Sequence, residues 1–346
     1  MKVLKYIFIF TIFNSSVLSS EVFDIKLITQ FYLDQTNEIL GNPGDMAIDN
    51  DDNIFITDRA FSNIKIYGNQ GKLIKIFGRK GEGPDEFGEP FTIDYSNGRF
   101  CFYDISRLYY YIYDKDFHLL NSFFYLSDAA EFILSQNRII SNDYFRDKKG
   151  REYRGTILDF NGKVKKLLLP IKYGKRDLAN RFYLSYAFLD ASNDGRIYYV
   201  RKKELKIILF DKEGKKLRSF GKSPKFYKRP QMTKSYQSAL GSTSRISEAW
   251  RKWYYSFTWI SGLSILKETL VIAISNFNKD LNKWQYWLQF YDLDGNILEQ
   301  TKLKEPGSES TDFFMDSNNK DRIYILETTD EMEPKYKFYK YEINRR

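Results

Sequence analysis

Along most of the chain, apolar residues alternate with polar ones in runs of four to eight, bounded by Gly, Asn and Asp, which is the pattern of half-buried strands. The runs recur in groups. "DMAIDNDDNIFITDRAFSNIKIYGNQGKLIKIFG" from Asp45 divides into four short strands, and "PFTIDYSNGRFCFYDISRLYYYIYDKDFHLLNSFF" from Pro90 repeats the scheme. Further units begin near Glu131, Tyr186, Ser261 and Asp312, the last stopping after three strands. Turns before the fourth strand fall at Gly71, Asp116, Gly162, Gly214 and Gly295, about every 45 to 52 residues until the final gap. A four-stranded unit at that period is a propeller blade. The strand missing from the sixth unit has a donor in "VFDIKLITQFYLD", Val22 to Asp34, which matches the fourth strands elsewhere. The pattern therefore predicts an all-β, six-bladed β-propeller in which the N-terminal strand completes the last blade and removes open sheet edges. Its single domain spans 21–346, with blades near 45–78, 90–126, 131–170, 185–221, 259–303 and 311–343 plus 22–33.

One stretch departs from strand periodicity. Between the fourth and fifth units lies an insertion, Lys222 to Thr258, in which Ile246, Ala249, Trp250, Trp253, Tyr254 and Phe257 recur on one helical face. A Trp-rich face of this kind is expected to pack on its own propeller as a cap, because exposed aromatic patches are unfavourable. The insertion holds eight Lys and Arg against one acid, Glu248. Outside it and the two lysines near the N terminus, bases and acids balance at 44 each, so the excess of positive charge is local. A basic, aromatic cap suits an anionic partner.

The first residues, "MKVLKYIFIFTIFNSSVLSSEVF", read as a secretory signal over 1–20: Lys2 and Lys5, an apolar centre from Tyr6 to Phe13, and small residues near Ser19. The apolar centre is too short to span a bilayer. The reading is an exported protein, periplasmic, surface-held or secreted, with no membrane span in the mature chain. Cys101 is the one cysteine and His118 the one histidine, which excludes an internal disulfide, His-rich zinc sites and Cys–His catalysis within one chain. Cys101 sits in "RFCFYD" as a small core residue. His118 follows an outer turn.

"FGRKGEGPDEFGEP", Phe77 to Pro90, has the glycine density of a phosphate loop but not its grammar. Pro84 stands where a P-loop lysine belongs, and Glu86 where a dinucleotide fingerprint needs its third glycine. Followed by "FTID", and echoed by "GNPGDMAID", "FGKSPKFYKRP" and "EPGSESTDFFMD", it resembles the inter-blade connector of NHL-type six-bladed β-propellers of the exported bacterial kind. The resemblance covers nearly all of the mature chain as a repeat grammar and implies fold more than function. Members of that family include extracellular binding domains, nucleic-acid readers and metal-dependent lyases or lactonases.

Candidate binding residues follow from position. Asp58 and Asp104 end second strands and precede loops carrying Arg59 and Arg107, where they either face a ligand on one rim or cap local turns. Arg251, Lys252 and Trp253 belong to the basic cap. No catalytic residue is identified. The leading expectation is a binding or scaffold propeller for a protein, glycan or anionic polymer, weighted above an enzyme. The alternative is a calcium-dependent lactonase or hydrolase with oxygen ligands, whose sign would be Asp, Glu or Asn side chains converging at the channel. "DNDDN", Asp49 to Asn53, lacks the calcium-loop glycine and terminal Glu and is read as a turn. No cofactor is expected, calcium being the one candidate. A nucleic-acid reader ranks third, opposed by the export signal.

Overall fold

The computed structural model describes residues 22–127, 131–171, 186–231, 248–305, 313–317, 321–328 and 335–346. The expected signal segment over 1–20 and the central part of the insertion, 232–247, lie outside the described residues. In chain order, β1 (Phe23–Tyr32) precedes blade 1, made of β2 (Pro43–Ile48), β3 (Ile54–Asp58), β4 (Asn63–Tyr67) and β5 (Leu73–Phe77). The short strands β6 (Arg79–Lys80) and β7 (Glu86–Phe87) lead to blade 2: β8 (Pro90–Ser96), β9 (Arg99–Asp104), β10 (Tyr109–Asp114) and β11 (Leu119–Phe124). Blade 3 holds β12 (Phe132–Ser135), β13 (Arg138–Arg146), β14 (Glu152–Asp159) and β15 (Val164–Ile171). Blade 4 holds β16 (Ala187–Ala191), β17 (Ile197–Arg201), β18 (Glu204–Phe210) and β19 (Lys216–Phe220). After the helix α1 (Glu248–Tyr254), blade 5 holds β20 (Thr258–Leu266), β21 (Thr269–Asn278), β22 (Lys283–Asp292) and β23 (Ile297–Lys302). Blade 6 holds β24 (Phe313–Ser317), β25 (Arg322–Thr328) and β26 (Tyr336–Arg345).

Each blade is a four-stranded antiparallel sheet, and the sixth has the order β1-β26-β25-β24. The innermost strands pack side by side in the circuit β2, β8, β12, β16, β20, β24 and back to β2, so the six blades form a closed ring. Strands are held by inward aromatic and β-branched residues, which fit pleated, half-buried surfaces. Phe55, Phe77, Phe87, Phe100 and Phe102 fill the space between blades 1 and 2, and Trp253, Trp259, Trp284 and Phe290 that between blades 5 and 6.

Closure by β1 is built from both backbone and side chains. β1 pairs antiparallel with β26 from Phe23↔Arg345 to Tyr32↔Lys337. Phe23 is buried and stacks on Phe290 of blade 5 at 4.3 Å between ring centroids. The Glu299 carboxylate of blade 5 accepts the N–H groups of Val22 and Phe23, both at 2.8 Å. Asp52, in the first turn of blade 1, accepts from Arg322 and Lys340 at 2.7 Å and from the Tyr324 hydroxyl at 2.5 Å, tying blade 1 to blade 6.

The turns explain the period seen in the sequence. Between third and fourth strands, Asp159 Oδ1 accepts the N–H groups of Asn161 and Lys163, and Asp211 Oδ1 those of Glu213 and Lys215. The carboxylate replaces the backbone partners a tight turn leaves out. Gly295, at φ 84°, approaches Phe220 of the preceding blade so closely that an added Cβ would lie 2.5 Å from its ring. The blade-to-blade seam thus needs a glycine there for two reasons, backbone angle and space.

Phe23→Ala should cost about 3–5 kcal/mol, the usual range for truncating a buried Phe. Chemical denaturation reads it, and a loss below about 1 kcal/mol would mean that β1 does not hold the ring closed.

Candidate functional site

In a four-stranded antiparallel blade, the first strand begins on the face where the second and fourth end. Inter-blade connectors and second-to-third turns therefore share one face, here called the connector face. Asp58 and Asp104 lie there, fully buried. Asp58 accepts the N–H groups of Gly41, Asn42 and Ala60, and pairs with the equally buried Lys65 at 2.7 Å. Asp104 accepts those of Gly88, Glu89, Ser106 and Arg107, and the Ser106 hydroxyl at 2.9 Å. Each carboxylate fastens the connector entering its own blade. Gly88 is required for that approach, since an added Cβ would sit 1.9 Å from Ser106 Oγ.

The two arginines stand over these anchors. Arg59 is half-buried, pairs with Glu89 (Nε to Oε1, 2.8 Å) and lies over the Phe91 ring at 4.8 Å. Arg107 donates to the Glu86 carbonyl at 2.8 Å and to the Tyr111 hydroxyl at 3.3 Å. Asp58→Ala and Asp104→Ala should each lose more than about 3 kcal/mol, because hydrogen bonds to a charged group are worth roughly 1.5–3 kcal/mol each. Arg59→Ala should stay within about 1 kcal/mol as a partly exposed pair. Equal losses in the three variants, measured by urea denaturation, would contradict this division.

In the glycine-rich loop between β5 and β8, the Glu86 carboxylate accepts the Gly83 N–H at 2.7 Å and pairs with Arg79. The anion in this loop is the loop's own. Cys101 is buried in the core, while His118 is exposed in its turn, 3.1 Å from Asp114. In "DNDDN", Asp49 Oδ1 accepts the N–H groups of Asp51 and Asn53 at 2.8 Å, an ordinary turn clamp.

α1 leads into the connector-face end of β20. Trp253 is buried, packs at 63° against Trp259 with centroids 5.5 Å apart, and donates its indole N–H to the Gln231 carbonyl at 2.8 Å. Tyr254 stacks on Trp259 at 4.6 Å and Tyr255 on Phe277 at 4.1 Å. Trp253 therefore anchors the helix to blade 5, and the cations are what face outward. Lys222, Lys225, Lys228, Arg229, Arg251 and Lys252 are all exposed. Lys252 pairs with Glu248 at 2.7 Å and Arg229 with Glu204 at 3.2 Å.

The axis of the ring is a polar channel of about 230 Å³. On its wall stand Asp45 of β2, Asp94 of β8, Asp190 of β16, Asp316 of β24, and Glu131 just before β12. Four of them make the same bond. Asp45 accepts the N–H of Ile93 (3.1 Å), Asp94 that of Leu134 (2.5 Å), Asp190 that of Ile265 (2.6 Å) and Asp316 that of Ile48 (2.8 Å), in each case on the next blade. Asp45, Asp190 and Asp316 also accept the N–H of their own following residue. None of these acids had been singled out as a site residue from the sequence. Their signal was there, an Asp within an apolar first strand ("TIDY", "FLDA", "FMDS"), but it acquires meaning only once that strand is known to line an axis.

Enclosure holds these carboxyls in the proton-bound direction. Burial pushes Asp45 and Asp190 up to about 7 and Asp94 to about 6, against the lowering effect of the donated N–H groups. Burial, then the charge of Asp94, raises Asp316 well above the usual range. Glu131 is raised well above it by burial, then by Asp45, Asp94 and Asp316, with Lys202 opposing. A carboxyl whose folded-state pKa is raised contributes stability that is complete below its unfolded value, near 4, and is lost as pH rises through the folded value. Clamped turn acids such as Asp159 are shifted down and act below pH 4. Between pH 5 and 8 the channel should therefore lower the melting midpoint by several degrees as pH rises. Glu131→Gln should flatten that slope, and an unchanged slope would remove Glu131 from the channel's charge balance.

Neither a family profile nor a curated protein matches the sequence. Solved structures do match. A protein of Bacteroides fragilis described as exported is similar over 95% of this chain and 98% of its own, with 13% identity and a TM-score of 0.61. A member of the DUF4221 family from Bacteroides vulgatus is similar over 94% and 99%, with 12% identity and a TM-score of 0.62. The PQQ-bound aldose sugar dehydrogenase of Streptomyces coelicolor is more distant, at 10% identity over 93% and 98% and a TM-score of 0.53. At these identities the likeness is one of fold: this chain is a six-bladed β-propeller.

Proposed function

We propose that the protein is an exported propeller of the NHL type, serving as a binding or scaffold protein that presents the basic surface of 222–258 to an anionic partner, whether a protein, a glycan or another polymer. The observation that carries this reading is the division within that segment. Trp253, Tyr254 and Tyr255 are spent on blade 5, while Lys222, Lys225, Lys228 and Arg251 remain exposed without an acidic partner among the described residues. Local charge of one sign on a rigid scaffold raises association rates with anions and is screened by salt. Arg59 and Arg107, on the same connector face, extend the reading to the rim. A structural neighbour described as exported, and the absence among the described residues of any helix long and apolar enough to cross a membrane, accord with export. The reading needs no cofactor.

Replacing Lys222, Lys225, Lys228 and Arg251 together by Glu should weaken retention on a heparin column at 0.15 M salt about tenfold or more, with the melting midpoint kept. Retention equal to the wild type would refute the proposal.

The acidic channel favours a second reading, a calcium-dependent lactonase or hydrolase. Against it, no three Asp, Glu, Cys or His among the described residues are grouped as a metal site. Calcium titration separates the two. A ligand held by the folded state alone adds about 2.7 kcal/mol at 100 times its Kd, so a saturable, chelator-reversed rise in the midpoint would favour the enzyme. No rise is expected.

A further inference from the structure

The channel is a site of different chemistry from the basic face. Its lining residues include five carboxyl groups, Asp45, Asp94, Glu131, Asp190 and Asp316, and no Lys, Arg or His. Uncompensated acids enclosed together are costly unless they take up protons or a cation. The bonds the four aspartates make to backbone N–H groups leave lone pairs on their oxygens, so the wall is an acceptor surface. Two hydroxyls point to a ligand independently of the acids. Ser135 and Ser264 line the same channel, are more than nine-tenths buried, and make no side-chain hydrogen bond among the described residues. Hydroxyls open to an enclosed polar space are normally satisfied by water or by a ligand. The Glu131 carboxylate likewise has no hydrogen-bond donor among the described residues.

Size and spacing narrow the class. A volume of about 230 Å³ is several times the roughly 30 Å³ share of one water. The acids are spread around the wall and do not converge in a group of three able to hold one metal ion. A spread acceptor wall suits an extended cation carrying several N–H donors. We propose that the channel binds a small organic ammonium compound of the aliphatic diamine class, with Glu131 as its main ionic partner and the Ser135 and Ser264 hydroxyls as further contacts.

The test uses the mature chain, its melting midpoint followed at pH 8 in 0.15 M salt with 1,4-diaminobutane, with the uncharged 1,4-butanediol, and with calcium. The diamine alone should give a saturable rise. That rise should shrink toward pH 5, as Asp45, Asp94, Asp190, Asp316 and Glu131 take up protons; Lys202 is the cation whose charge acts on Glu131. Glu131→Gln should weaken the diamine at least tenfold, and Ser264→Ala, which removes no charge, should weaken it less. No diamine response at pH 8, a response undiminished in both variants, or an equal response to butanediol would overturn the proposal. A calcium response as large as that of the diamine would overturn it in favour of a metal site. None of these outcomes depends on retention by an anionic matrix, so the channel and the basic face stand or fall separately.

Discussion

Six sheets arranged around an axis meet along their first strands, which splay too far apart to continue one sheet into the next. The amide groups that face a neighbouring blade across that gap must still find acceptors, since an orphaned buried N–H costs about as much as a lost hydrogen bond. This protein meets the constraint with side chains. Asp45, Asp94, Asp190 and Asp316 each reach across to the next first strand, at Ile93, Leu134, Ile265 and Ile48. Four of the six seams are thus stitched at the inner circumference by carboxylates, and the seam between blades 5 and 6 is packed further out by aromatic contact of Phe23 on Phe290.

That solution sets the electrostatics of the whole molecule. Acids needed as acceptors stand around the axis, where burial raises their affinity for protons, while bases outnumber acids eight to one in the segment leading into blade 5. The molecule is consequently polar in the large sense, with an acidic bore and a basic patch on the connector face. The buried pair Asp58–Lys65 shows the opposite design, a charge enclosed together with its counter-charge and three backbone donors.

Most of the fold was legible because blade grammar is local. Asp-x-x-Gly turns, alternating strands and connector glycines are short-range signals, and the strand missing from the sixth unit could be matched to residues 22–34 by pattern alone. Blade 3 was harder, since its first turn carries no glycine. Gln136 and Asn137 adopt φ of 50° and 60° and make the tight hairpin that Asn97 and Gly98 make in blade 2. The site was much less legible. Asp58 and Asp104 were visible as strand-ending acids, but whether they turn inward to hold the connector or outward to a ligand depends on contacts tens of residues away. The channel acids depend on contacts between blades, which no window of one blade contains. Asp143 and Glu327, also buried late in second strands, accept instead from the Thr156 and Tyr339 hydroxyls on the third strands of their own blades.

The pairing of β1 with β26 also bears on time. The described strand nearest the N terminus is completed by the one nearest the C terminus, a contact separated by about three hundred residues. Long-range pairings of this kind are slow to form because loop-closure entropy must be paid before any contact repays it. Five blades can assemble from their own hairpins as the chain lengthens, but the sixth waits for the last strand. Until then β1 has no sheet to join, and the aromatic seam between blades 5 and 6 stays open.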